Sequence, residues 1–413
     1  MRIDNSFFTQ RRNELINRIP EGSAVFLFAG KARAMSQDTN YRFLPDRNFY
    51  YLTGLTYEDG RLVLVKDKDG AVKTMLFALK KDDYIERWHG KRMTFDEVSS
   101  ISGIDVEDIF DVNEFDERIY PFHGNLRFFT DETSISDEAS LFMAMNDGCE
   151  DIGPVLTKMR MVKSEDEINA IIEAARITEQ ALDEMKTFIR EGVSELELYT
   201  KLEYEMGRRG SLIPAFETIV SIGENSFYLH HGDPEDETGV LAKKGDIIQI
   251  DVGARCMGYC ADISRVYFVG DPDDKEALER RTKLLGLIRD LRKNAFGFIK
   301  PGESFNTLNE LMRKITGEAL FSWGLLPEGY TDEDVRGYYW HNTSHHLGLD
   351  VHDISIREDL FVKGNCLAVE PGVYIMEWGI GFRIEDDVLV TEDGCRLLSS
   401  GIDSDESVMI KEI

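Results

Sequence analysis

Residues 247–269 read IIQIDVGARCMGYCADISRVYFV. Two apolar runs, IIQIDVGA (247–254) and ADISRVYF (261–268), flank a Met257-Gly258 pair suited to a tight turn, which predicts two antiparallel strands. Each run carries one aspartate, Asp251 and Asp262, and pairing of the strands can bring both to one point. Buried carboxylates are costly unless they are paired or coordinate metal. Downstream, HNTSHHLGLDVHD (341–353) is dense in histidine, Glu370 follows the apolar run LAV, and Glu385 sits in GFRIEDDVLV (381–390). Four carboxylates and an imidazole, each in or beside a β-like run, make an oxygen-rich set large enough for two divalent cations, and four negative charges offset two dications. One acidic residue in a strand is ordinarily a surface or strand-end position. Five such residues in apolar surroundings predict a binuclear metal hydrolase.

The histidines sharpen this reading. Of eight in the chain, His230 and His231 fall in FYLHHGD, and His341, His345, His346 and His352 fall within the downstream stretch. Neutral imidazole can ligate metal or shuttle protons near pH 7, and His345 is the foremost candidate ligand. Other chemistries lack their patterns: there is no G-x-S-x-G elbow, Walker A loop or G-x-G-x-x-G after a strand. GKRMTFDEV (90–98) and GRRG (207–210) are isolated phosphate-friendly fragments.

The rest of the chain organises around this core. Residues 6–18 have the spacing of a short amphipathic helix. AVFLFAG (24–30), RLVLVKD (61–67), TMLFALK (74–80) and NLRFFTD (125–131) read as strands and 137–146 as helix, predicting an α/β domain over residues 1–155. Residues 156–413 open with a capping box, Ser164 with Glu167, ahead of Ile168, Ile171, Ile172, Ala175, Leu182 and Met185 at helical spacing. A second box, Ser194 with Glu197, starts a helix ending at Gly210, and long helices are predicted near 275–296 and 304–323. FIREGVSELEL (188–198) is echoed by FIKPGESFNTL (298–308). Each copy is a helix, a Gly turn, a helix and then β-rich sequence. The echo predicts a duplicated α/β unit with pseudo-two-fold symmetry, its helices covering one curved antiparallel sheet, with the ligand set where the β-rich halves meet. The expected fold class is α+β.

Composition bounds the alternatives. At 413 residues the chain exceeds one ordinary core, so two or three domains are expected, and 42% hydrophobic residues suffice for globular folding. A net charge of −29 repels nucleic acid and anionic membrane, disfavours acidic substrates and mildly favours a free ammonium. Five cysteines without a framework spacing predict reduced thiols, and Cys256 and Cys260 do not form a C-x-x-C. The N-terminus, MRIDNSFFTQRRNELINRIP, is charged throughout, and no run of about 18 apolar residues occurs. The expected location is cytoplasmic.

The order D-x10-D, H-x-x-x-H-x-L-G-L-D-V-H-D, V-E-P-G-x-Y-I and R-I-E-D-D resembles the pita-bread metallopeptidases, specifically aminopeptidase P and its relative prolidase. DRNFYYLTGL (46–55) and ERWHGKR (86–92) resemble stretches of that family's N-terminal domain, so the likeness covers nearly the whole chain. It implies a pita-bread catalytic domain over 156–413 behind an N-terminal domain of the aminopeptidase P/creatinase type over 1–155. It implies Asp251, Asp262, His345, Glu370 and Glu385 as metal ligands, with Asp262 and Glu385 bridging and Glu370 also holding the nucleophilic water or hydroxide. His230 matches a histidine that assists proton transfer and contacts substrate, and His352 one that hydrogen-bonds the peptide and stabilises the transition state. His341 matches one lining the proline pocket, and Arg383 an arginine shaping the site. Trp88 matches a tryptophan that reaches a neighbouring subunit's active site, implying a homo-oligomer, dimer or tetramer. The implied cofactors are two divalent ions, manganese foremost, with cobalt, zinc or iron also suited. The implied reaction is hydrolysis between an N-terminal residue and a following proline, by an Xaa-Pro aminopeptidase. An Xaa-Pro dipeptidase is the alternative, and a non-catalytic binding protein on the same fold the remote one. The sequence departs from the family in a shorter stretch between Glu370 and Glu385 and in His346, where an aromatic or other residue often follows the metal histidine.

Overall fold

The strand Ser23–Phe28, buried along its length, lies inside a six-stranded mixed sheet. The computed structural model describes residues 3–231, 240–356 and 358–399, with the backbone of 409–410. The chain divides into two units, Met1–Met159 and Arg160–Ile413. In the first, the sheet order is Ile109–Asp111, Val72–Ala78, Arg61–Lys66, Ser23–Phe28, Arg127–Thr130, Glu150–Asp151, antiparallel among the longer strands and parallel towards both edges. Phe26, Phe77, Phe115, Phe128 and Phe142 fill one face. Phe26 lies 4.8 Å from Phe128 and 4.4 Å from Phe142, centroid to centroid. Pairs of this kind add roughly 0.5–1.5 kcal/mol beyond their area burial.

The second unit repeats one design. Helix Glu165–Phe188 is followed by Glu195–Arg208, and Lys275–Phe298 by Phe305–Ser322. The echo of the sequence holds down to the caps. Both long helices end at a phenylalanine, Ile189 and Ile299 take extended C-cap conformations, and Ser194 and Ser304 are the next N-caps. The second box forms as the sequence predicts: Glu197 N–H donates to Ser194 Oγ at 3.1 Å, and Ser194 N–H donates to Glu197 at 2.9 Å.

Each helix pair covers its own sheet. The first sheet contains Ile219–Ile222, Ile247–Val252 and Ile263–Phe268, with Met409–Ile410 at its edge. The second contains Ser344–His346, Cys366–Val369, Asp386–Val390 and Cys395–Leu397, and Gly372–Ile375 pairs with Ile380–Arg383 in a ribbon. Glu385 N–H donates to Ser264 O at 3.1 Å, tying the β-structure of the two halves together.

Alternation along the central strands sets the site. Ile248, Ile250, Val252, Ile263 and Tyr267 pack in one core under the first helix pair. Ile247, Val266 and Phe268 pack in the other, with Leu367, Val369 and Val388. Residues of one parity on a strand share a face. Asp251 therefore shares the face of Ile247, and Asp262 and Ser264 share that of Val266 and Phe268. Both aspartates look towards the second half, so a strand buried on both faces can carry a carboxylate.

Candidate metal centre and active site

Asp251 is directly opposite Ser264 in the antiparallel pair, and Asp262 is two residues before Ser264 on the same face. The hairpin turns at Met257 and Gly258, both at positive φ (48° and 83°), a two-residue primed turn at the position read from the sequence. Near the site the strands approach so closely that a Cβ on Gly253 would stand 1.9 Å from Ala261 O. Only glycine allows that approach.

His345 lies on Ser344–His346, paired with Ala368. Its Nδ1–H donates to His346 O at 3.0 Å, leaving Nε2 as the basic nitrogen. Nε2 faces Asp262 at 3.3 Å, Glu385 at 3.8 Å and Glu370 at 3.9 Å. Glu370 follows Cys366–Val369 and is fixed by its N–H to Thr343 O at 2.8 Å. Glu385 follows Ile380–Arg383, and Ser264 Oγ donates to it at 3.0 Å. Three overlapping groups could each hold a cation: Asp251, Asp262 and Glu385; His345, Glu370 and Glu385; Asp262, His345 and His352. In each, the donor atoms lie within 4.8 Å of one another.

The electrostatics call for positive charge here. Burial, then Glu385 and Asp251, push the Asp262 carboxyl well above its ordinary range. Burial, then Glu385, raise Glu370 to about 8, and burial with Asp251 raises Glu385. Burial works against a charged His345, yet hydrogen bonds to Asp262 and Glu385 outweigh it and raise its pKa. Asp251 Oδ1 and Asp262 Oδ1 are buried without a hydrogen-bond partner among the described residues. Orphaned buried carboxylate oxygens beside an imidazole suit hard or borderline divalent cations, so the donor set fits the predicted metals.

Arg383 supports the centre from below. It donates to Asp251, to Ser264 Oγ at 3.1 Å and to Leu229 O at 3.1 Å. Further back, Arg265 and Arg292 clamp buried Asp386, next in sequence to Glu385. Asp353, adjoining His352, is buried between Arg160 and Lys163, the latter at 2.9 Å. Those cations overcome its burial and hold its carboxyl at about 2.

A cavity of about 540 Å³ opens over the set, and His230, His341 and His352 line it with all five ligand candidates and Arg383. The rings of His345 and His352 are 4.1 Å apart, centroid to centroid. His341 reaches Tyr374 Oη at 3.1 Å and Glu370 at 3.5 Å. Burial lowers His341 and His352 to about 4, so both are neutral at pH 7. The sequence neighbours of His230 and His345 serve structure: His231 pairs with Glu195 at 3.1 Å, and His346 is buried against the Phe305 ring at 5.4 Å. Trp88 is 73% exposed on helix Asp83–His89 of the first unit. GRRG is no anion site, since Arg208 and Arg209 bind Glu205 and Glu184. The sequence reading missed Ser264, which strand alternation from Asp262 would have flagged. It also missed the wall of Phe216, Glu217, Ile219 and Leu229, which no pattern announces.

A duplicated α/β unit with carboxylates and histidine gathered between its halves defines the pita-bread class of metal-dependent hydrolases. The chain belongs to metallopeptidase family M24, whose family model matches residues 169–392, and residues 8–125 match the N-terminal domain of aminopeptidase P. It is 28% identical to the Xaa-Pro aminopeptidase of Escherichia coli over 97% of this chain and 96% of that protein. Its structure is similar to proline aminopeptidase P II from Yersinia pestis, with TM-score 0.88 and 26% identity over 98% of both chains. It is also similar to E. coli aminopeptidase P solved with the inhibitor Pro-Leu, with TM-score 0.87 and 27% identity over 98% of this chain and 96% of that one. The chain is thus a hydrolase of the metallopeptidase type.

Proposed function

We propose that the protein is an Xaa-Pro aminopeptidase, releasing the N-terminal residue from peptides whose second residue is proline. The observation that carries this is the convergence of Asp251, Asp262, His345, Glu370 and Glu385, two of them with orphaned oxygens, under a cavity walled by His230, His341 and His352. The relatives named for this activity span nearly the full chain.

In this reading the five residues would hold two divalent ions, manganese foremost, with Asp262 and Glu385 as the carboxylates that would be shared between them. Two such ions supply Lewis acidity towards the scissile carbonyl and ease deprotonation of water near neutral pH. Glu370 orients that water and takes its proton. Arg383 holds Asp251 in place. The bond before proline is a tertiary amide with φ fixed near −65° and no N–H, so shape must replace a hydrogen bond in its recognition. His341, held by Tyr374, lines the place for the ring. His352 and His230 hydrogen-bond the peptide, and one of them relays the proton released by the water to the proline nitrogen, a poor leaving group otherwise. Exposed Trp88 completes the site of a neighbouring copy in a homo-oligomer, and the enzyme works in the cytoplasm. Among the described residues no helix is long and apolar enough to cross a membrane.

The test is amino-acid release from Gly-Pro-Ala and Gly-Pro by chelator-stripped protein, with and without manganese. Metal-dependent glycine release from the tripeptide is expected. Activity confined to Gly-Pro would make the enzyme a dipeptidase, and silence on both across several metals would remove the peptidase assignment.

A further inference from the structure

Glu217 lines the cavity, is exposed, and has no hydrogen-bond or ion-pair partner among the described residues. It is unlike the other carboxylates there. Asp251 is held by Arg383, while Asp262, Glu370 and Glu385 surround His345.

Its position follows from strand register. Ile219 is directly opposite Asp251, and Glu217 lies two residues earlier, on the same side of an extended chain. Between them Thr218 turns away, its hydroxyl bonded to Glu203. Ala215 N–H donates to Gly253 O at 2.8 Å, and the Phe216 ring comes within 2.9 Å of where a Gly253 Cβ would be. The segment therefore runs along the Asp251 side of the centre. His341 adjoins Glu370, at 3.5 Å.

Under the Xaa-Pro reading, on which this inference rests, proline occupies the His341 side and the first residue the Asp251 side. The wall met by the first side chain is apolar at Phe216, Ile219 and Leu229, with the Glu217 carboxylate beside it. Lysine and arginine have the matching form, a methylene stem ending in a cation. We infer that Glu217 selects peptides whose first residue is cationic, Lys-Pro or Arg-Pro, by pairing with that charge across an apolar wall. The competing positive groups facing the same space are Arg383, committed to Asp251, and His230.

The test compares kcat/KM for Lys-Pro-Ala with norleucine-Pro-Ala, which has the same stem without the ammonium, using the full metal-loaded chain at pH 8. Lysine should be favoured roughly threefold to tenfold, the range between an exposed and a partly desolvated charge pair. The preference should lie in KM, because the pair forms away from the bond that breaks. The ratio should fall towards one in Glu217→Gln, reverse in Glu217→Lys, and shrink in high salt. A ratio at or below one in the unmodified enzyme, or one that Glu217→Gln does not move, overturns the inference while cleavage of the norleucine peptide upholds the Xaa-Pro reading. If neither peptide is cut, that reading fails and the inference falls with it.

Discussion

At Asp262 the main chain and the side chain have opposite fates. The N–H donates to Asp387, a buried carboxyl raised by burial, whereas carboxylate Oδ1 finds no donor among the described residues. Leaving such a group unpaired costs on the order of 1–3 kcal/mol, more when charged. A cation removes that cost, and His345, giving up its proton on binding, would offer a nitrogen beside it. Replacing His345 with Ala should cost at least one ion per chain after dialysis and lower turnover by more than about a hundredfold, since loss of outer-shell partners alone costs 10–100-fold. Metal analysis with circular dichroism as the folding control checks this. Full metal content with undiminished turnover would take His345 out of the ligand set.

The hairpin Ile247–Phe268 shows how an element can be legible while its function is not. Alternating apolar residues, the Met257-Gly258 turn and the two aspartates were readable, because strand period and turn chemistry are local properties. The close approach of Gly253 to Ala261 was not, because it exists only once the strands pair. Gly253→Ala should force the strands apart, separate Asp251 from Asp262 and weaken metal binding. We expect at least tenfold weaker affinity in a metal titration and a lower melting temperature, whereas unchanged metal affinity would show the hairpin can yield without moving its carboxylates. The helices were equally readable, from capping boxes at Ser164 and Ser194 to the repeated Phe-Ile ends, since capping needs only a few consecutive residues. The strand Ile219–Ile222 and the wall before it carried no comparable signal, and Glu217 with them.

For the molecule as a whole, the metal centre ties stability to pH. The folded-state pKa of Glu370, about 8, lies above its ordinary value of 4.5, so the folded metal-free protein binds more protons than the unfolded chain between those values. Stability conferred by the protonated form is full below about 4.5 and is lost as pH rises through about 8. Burial moves Asp262 and Glu385 the same way. The chelated protein should therefore melt at lower temperature at pH 8 than at pH 6, and added manganese should raise the melting temperature more at pH 8, where ligands are bare. Thermal scans at both pH values check this, and a metal-induced shift that is equal or smaller at pH 8 would contradict the linkage.

The sequence by itself nominated the candidate donor set and determined the identity of the main helices and strands and the duplication, because each rests on residue type, short-range periodicity or a repeated local pattern. Tertiary structure showed what the other member of each histidine doublet does. His230 and His345 line the cavity, while His231 and His346 brace Glu195 and Phe305. Adjacent residues on an extended strand point to opposite sides, as His345 and His346 do, and only a packed partner defines which side is the site. The same holds for the clamp of Arg160 and Lys163 on Asp353 and for Glu217 in the cavity that Asp251 also lines. Those residues are distant in the chain, and their meeting is a property of the fold.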